Sequence, residues 1–110
     1  MTPAEGEHRF WALAEPLLEQ AGVTRSTMMG FPCLRLNGDF FACLDRRTGA
    51  LVIKLDQTQV TDLIDSGAGD EFAPNGRRFR EWASIPSSRS RSWARHLDAA
   101  LAASALRRSP

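Results

Sequence analysis

The stretch Cys33-Leu34-Arg35-Leu36-Asn37-Gly38-Asp39-Phe40-Phe41-Ala42-Cys43-Leu44 decides the fold. Two short runs with apolar residues at a period of two flank an Asn-Gly pair, the strongest local signal for a β-hairpin. A shift of one residue in such a hairpin turns every side chain to the other face. Leu34, Leu36, Phe40, Ala42 and Leu44 share one face only if Asn37, Gly38 and Asp39 form a three-residue loop. A two-residue Asn-Gly loop instead pairs Leu36 with Asp39 and turns Phe40 away. The longer loop keeps the apolar set together and is the one expected; it places Cys33 opposite Cys43.

Working outward, the same period and turn chemistry extend into a β-meander. Its segments are Arg25 to Met29, Cys33 to Leu36, Phe40 to Leu44 and Ala50 to Leu55, punctuated by Gly30-Phe31-Pro32 and by Asp45-Arg46-Arg47-Thr48-Gly49. Before it, Thr2-Pro3-Ala4-Glu5 forms a capping box with proline at the first helical position. Phe10, Leu13, Ala14, Leu17, Leu18 and Ala21 then make one apolar stripe, and Gly22 stops the helix. Pro16 deletes a hydrogen bond to Ala12, so a kink is expected there in preference to a break. After the meander, Asp56 caps a short helix carrying Val60, Leu63 and Ile64, which Gly67 and Gly69 end. Glu71 to Ala73 and Phe79 to Ile85 flank Pro74-Asn75-Gly76 as a second hairpin, closed by Pro86. A last helix is expected from Ser88 to Leu106, with Trp93, Leu97, Ala100, Leu101 and Ala105 on one face and residues 107–110 frayed. The predicted class is α+β: two layers, an antiparallel sheet of about six strands and three helices, in the order α-β-β-β-β-α-β-β-α.

The chain has 110 residues, 43% hydrophobic and 25% charged, values that suit one globular domain spanning 1–110 and exclude disorder. No apolar run approaches the roughly 20 residues that span a bilayer, and Glu5 and Glu7 stand where a secretory signal needs basic then apolar residues. A cytoplasmic address with no membrane partner is expected. Cys33 and Cys43 belong to no metal-binding cluster, so two free thiols, no disulfide, no metal and no cofactor are expected. Charge is unevenly spread: residues 1–75 hold six basic and eleven acidic side chains, residues 76–110 eight and two.

The runs Thr27-Met28-Met29-Gly30-Phe31-Pro32-Cys33-Leu34, Asn37-Gly38-Asp39-Phe40-Phe41-Ala42-Cys43-Leu44 and Leu51-Val52-Ile53-Lys54-Leu55 resemble the TfoX N-terminal-domain family and its YjbR-like relatives. Gly76-Arg77-Arg78-Phe79-Arg80-Glu81-Trp82 and the Trp93 helix look like the ending of single-domain members. The resemblance implies helices on one antiparallel sheet in a cytosolic bacterial protein. It also implies a link to competence regulation and, in the relatives, to DNA association.

Candidate chemistry is sparse. No GxSxG, HExxH, phosphate-binding loop or GxGxxG occurs, and His8 and His96 fall in no motif, so both are expected as surface or capping residues and no enzyme activity is expected. The Met28-to-Pro32 turn could line an apolar pocket through Met28, Met29 and Phe31, with Lys54 nearby, although core and edge roles are the commoner fate of such residues. The sharper signal is basic. Arg77, Arg78 and Arg80 surround Phe79, while Arg89, Arg91 and Arg95 flank Ser88, Ser90 and Trp93. Guanidinium groups, hydroxyls and free N–H groups at a helix start together suit an anion or a nucleic-acid backbone. Arg89 and Arg91 in a first helical turn would be disfavoured by the helix dipole unless an anion bound there. The commoner alternative is a solvated arginine face. The expected function is a non-catalytic regulatory or protein-interaction module with an unidentified protein partner; the alternatives are weak nucleic-acid binding through the arginines and small-ligand binding at the Met28-to-Pro32 turn. Nothing in the sequence fixes the oligomeric state.

Overall fold

A computed structural model describes residues 1–108. Thr2 caps helix α1 (Pro3–Leu18): its side chain accepts from the Glu5 N–H while Glu5 accepts from the Thr2 N–H, the reciprocal pair anticipated from the sequence. The helix runs through Pro16 without a break and buries Gly6, Phe10, Ala14 and Leu17. Its N-terminal part packs closely on the turn at Gly49, because a Cβ on Gly6 would lie 2.6 Å from the Gly49 carbonyl.

Strands β1 (Val23–Met28), β2 (Phe31–Leu36), β3 (Asp39–Asp45) and β4 (Ala50–Lys54) form the meander. Asp56 caps α2 (Gln57–Asp65), again through a capping box, here with Gln59. A two-residue β5 (Asp70–Glu71) and β6 (Trp82–Ile85) follow. A 3₁₀ segment (Ser87–Ser92) then leads into α3 (Trp93–Arg108). The sheet order is β1-β2-β3-β4-β6-β5 and every pairing is antiparallel. All three helices cover one face, where Phe10, Leu17, Val60, Trp93, Leu97 and Ala100 meet Leu34, Phe41, Leu44, Leu51, Ile53 and Ile85. The buried indole of Trp93 donates to the Ile85 carbonyl at 3.2 Å, fixing the start of α3 against β6.

Four local expectations are corrected. Leu36 pairs with Asp39 across a two-residue turn in which Asn37 (φ 50°) and Gly38 (φ 92°) both take positive φ. That geometry follows the twist of the strands, which the three-residue loop was expected to replace. Register is restored by an irregularity: Arg35 pairs with Phe40 but Leu34 with Ala42, so Phe41 is the extra residue of a bulge. Cys33 therefore does face Cys43, while Phe40 lies on the face away from the helices.

The second correction concerns the last hairpin, whose second strand begins at Trp82 and not at Phe79. The Trp82 N–H closes a turn on the Phe79 carbonyl, and Arg77, Arg78 and Arg80 remain in exposed loop. The third concerns the final helix. Ser87–Ser92 is 3₁₀, with Arg89 in a non-helical conformation (φ −111°, ψ 26°), and α-helix starts only at Trp93. Local Ser hydrogen bonding competes with α-helix here, as the Ser92 hydroxyl donates to the Arg89 carbonyl at 2.7 Å. The buried face of α3 is accordingly Trp93, His96, Leu97, Ala100, Ala103 and Ser104, with Ala105 exposed. Fourth, the helix continues to Arg108 where fraying was expected; the rest of that tail lies outside the described residues.

Candidate functional site

Among the described residues the face of the sheet away from the helices carries no layer of its own, yet it holds a buried apolar cluster of Cys33, Cys43 and Val52. They stand side by side on β2, β3 and β4, since Cys33 pairs with Cys43 and Cys43 with Val52. Cover comes from Met28, Phe31, Phe40, Phe72 and Trp82, which lie against them half-exposed. Phe79, itself 42% exposed, stacks on Phe72 with ring centroids 5.8 Å apart.

Beside the buried row runs a second one in which charge and aromatic rings alternate. Arg35 pairs with Phe40 and Lys54 with Trp82. The Arg35 guanidinium sits 4.2 Å from the centre of the Phe40 ring, a cation–π contact, and its Nε is buried without a hydrogen-bond partner. Phe40, Lys54 and Trp82 share an open concavity of about 350 Å³ with Gly38, Asp39 and Arg107. At the other end of the strands Arg47 lies over Phe31 at 5.5 Å while it binds the buried Asp45 through Nε and Nη2, each at 3.1 Å. Arg46 bonds Glu7 of α1 at 2.8 Å and the Gly30 carbonyl at 2.8 Å, tying the Met29-Gly30 turn to the helix layer. The hydrogen bond from Arg46 holds the Glu7 carboxyl below its ordinary range.

The residues singled out from the sequence are distributed differently from expectation. Met28 and Phe31 belong to the open face, but Met29 points away at 91% exposure on a backbone of φ 53°. Lys54 does not join them, because the Cys33–Cys43–Val52 row lies between the Met28–Phe31 pair and the Lys54–Trp82 pair. The expected pocket at the turn is thus divided, and Lys54 serves the concavity beside Phe40 and Trp82. Arg77, Arg78 and Arg80 are exposed; Arg78 and Arg80 line a shallow surface with Gln57 and Thr61 of α2, and Arg78 approaches Glu71 at 3.7 Å.

Ser88, Arg89, Arg91 and Arg95 are exposed as well, and Ser90 is half-buried with its carbonyl accepting from Arg9 Nε of α1 at 3.3 Å. The two arginine groups therefore lie against different helices, and no hydrogen bond or ion pair joins them among the described residues. Arg89 and Arg91 also do not occupy the first turn of an α-helix. They precede α3 within the 3₁₀ segment, and the Trp93 N–H is already satisfied by the Ser90 carbonyl.

Both histidines were expected as surface or capping residues. His8 is exposed, but His96 is buried, 6% exposed, with Nε2 lacking a partner. Burial, with the nearby Arg95 charge, pushes its pKa down. It shares a groove with Asp62 and Ser66 of the α2 region, a residue set that invites comparison with a Ser-His-Asp triad. The hydrogen bonds differ: the Ser66 hydroxyl donates to the Leu63 carbonyl at 3.1 Å, and neither Ser66 nor Asp62 bonds His96. Among the described residues no three Cys, His, Asp or Glu side chains are grouped to hold a metal, and no helix is long and apolar enough to cross a membrane. Comparison with family models, with curated proteins and with solved structures found no match to the chain.

The open face was missed in the sequence because Phe40 was assigned to the core. The available signal was the Phe40-Phe41 doublet beside Asn-Gly: two successive aromatics cannot both follow the alternation of a regular strand, so one must leave the core face unless a bulge intervenes.

Proposed function

We propose that this chain is a non-catalytic binding module that recognises a protein partner through the open face of its sheet. The alternating row Arg35, Phe40, Lys54, Trp82 carries this reading. Half-exposed aromatic rings and arginine are the side chains that dominate binding energy at protein interfaces, and a concavity between two rings is where a partner's anchor inserts. Lys54 and Arg35 favour a partner segment that is apolar and acidic. The resemblance to TfoX N-terminal domains supports a regulatory role in the bacterial cytosol. Affinity capture from a bacterial cytosol, run with and without nuclease, tests the reading. A protein retained by the wild type after nuclease treatment and lost with Lys54→Glu supports it; capture indifferent to Lys54→Glu contradicts it.

Weak nucleic-acid binding is the second reading, favoured by the same row and by the exposed Arg77, Arg78 and Arg80 around Phe79. Bases stack on aromatic side chains of open sheets while cations take the backbone phosphates. Its signature is capture abolished by nuclease, with an affinity for single-stranded oligonucleotides that falls steeply with salt.

A further inference from the structure

Cys33 and Cys43 are directly opposite on the two central strands of the meander, both thiols are free, and their sulfurs are 2.6 Å apart. Cross-strand neighbours at this separation need no backbone rearrangement to be joined. No helix lies above them. Their apolar cover is the set of half-exposed side chains Met28, Phe31, Phe40, Phe72 and Trp82, and Cys43 retains 3% exposure. A reactant the size of water needs only side-chain motion to reach them, whereas a thiol under the helix layer would need a helix to lift.

We propose that Cys33 and Cys43 form a peroxide-oxidisable dithiol, a modification site at the centre of the open sheet face that closes reversibly to an intramolecular disulfide. The roles of the two sulfurs are unequal. The hydrogen bond between the sulfurs, in which either can donate, lowers the Cys33 pKa, and the Arg35 guanidinium favours the same thiolate. The hydrogen bond and burial push Cys43 the other way and keep it protonated. Cys33, which shares β2 and its open face with Arg35, is therefore assigned as the attacking sulfur. It displaces hydroxide from hydrogen peroxide, breaking the O–O bond and forming a sulfenic acid, with peroxide taking the electron pair. The Cys43 sulfur then attacks the sulfenic sulfur, forming the S–S bond, and the hydroxyl leaves as water with the Cys43 proton. A dithiol reductant reverses the change by exchange. The crosslink rests on the thiol geometry and stands whether the face binds protein, nucleic acid or neither.

The test is intact-mass measurement and thiol titration of the folded protein treated with hydrogen peroxide, with glutathione as a reactive control. The expected result is joint loss of both thiols, a mass lowered by two hydrogen atoms with no oxygen added, and recovery with dithiothreitol. Retention of both thiols under conditions that oxidise glutathione overturns the proposal, as does gain of oxygen in place of the crosslink. The variants assign the roles. Cys43→Ser is expected to give a sulfenic acid trapped by dimedone, and Cys33→Ser to react far more slowly. Equal trapping in both variants overturns the assignment of Cys33 as the attacking thiol. The wild-type mass remains decisive if either variant fails to fold.

Discussion

The two faces of this sheet reach burial by different means. Under the helices, Leu34, Phe41, Leu44, Leu51, Ile53 and Ile85 are all fully buried beneath α1, α2 and α3. On the open face the apolar cluster Cys33, Cys43 and Val52 is buried by side chains of the sheet itself and of the adjoining loop. Adjacent residues of one strand show the contrast best: Phe41 is fully buried, whereas Phe40 is half-exposed beneath Arg35. Ordinary alternation sends these neighbours to opposite faces, and the bulge at Phe41 keeps Ala42 and Leu44 on the covered face with it. The covered face holds the fold together and the open one is free to carry recognition.

The sharpest way to break this comparison is to truncate both rings. Phe41→Ala removes a fully buried ring from the main core and is expected to cost about 3–5 kcal/mol in chemical denaturation, as is Trp93→Ala. Phe40→Ala should cost about 1 kcal/mol, because half its surface already meets water. Equal losses for Phe40 and Phe41 would mean that the open face is a second core and not a surface.

A smaller effect tests how the hairpin is anchored. The Gly22 carbonyl accepts from the Asn37 N–H at 2.8 Å, and Gly22 holds φ +85° with the Asn37 side chain occupying the place of a Cβ. Gly22→Ala combines left-handed backbone strain with that collision, so an equilibrium loss of about 1–3 kcal/mol is expected. A loss near zero would show that the turn moves freely and that the register has another determinant.

His96 sets the smallest effect. Its folded pKa is depressed, so the unfolded chain binds the proton first. Stability is complete above the ordinary histidine value of about 6.5 and falls as pH drops below it, until the folded imidazole is protonated as well. His96→Leu should flatten this window in urea titrations while leaving the acid loss below the usual carboxylate range, where Glu7 gives up its bond to Arg46. An unchanged slope in His96→Leu would place the titration elsewhere.

Local chemistry was legible in the sequence and non-local chemistry was not. The Thr2 capping box and the Asp56 cap occur as read, because each depends on four consecutive residues. The α+β class and the element order followed from changes in period. The bulge at Phe41 was hidden because it is settled by competition between turn twist and core packing across two strands. The rotation of α3, which buries His96 and exposes Ala105, depends on where α-helix takes over from 3₁₀ near Trp93. The arginines looked like one surface because they are close in sequence, but the fold sets Arg78 and Arg80 against α2 and ties the Ser90 segment to α1.

The most direct measurement compares partner capture by two charge reversals on surfaces of similar sign. Lys54→Glu reverses charge between Phe40 and Trp82 on the open face, and Arg91→Glu does so on the exposed segment before α3. Capture lost with Lys54→Glu and retained with Arg91→Glu is the predicted result. Capture retained with Lys54→Glu and lost with Arg91→Glu would contradict the assignment of recognition to the open sheet face.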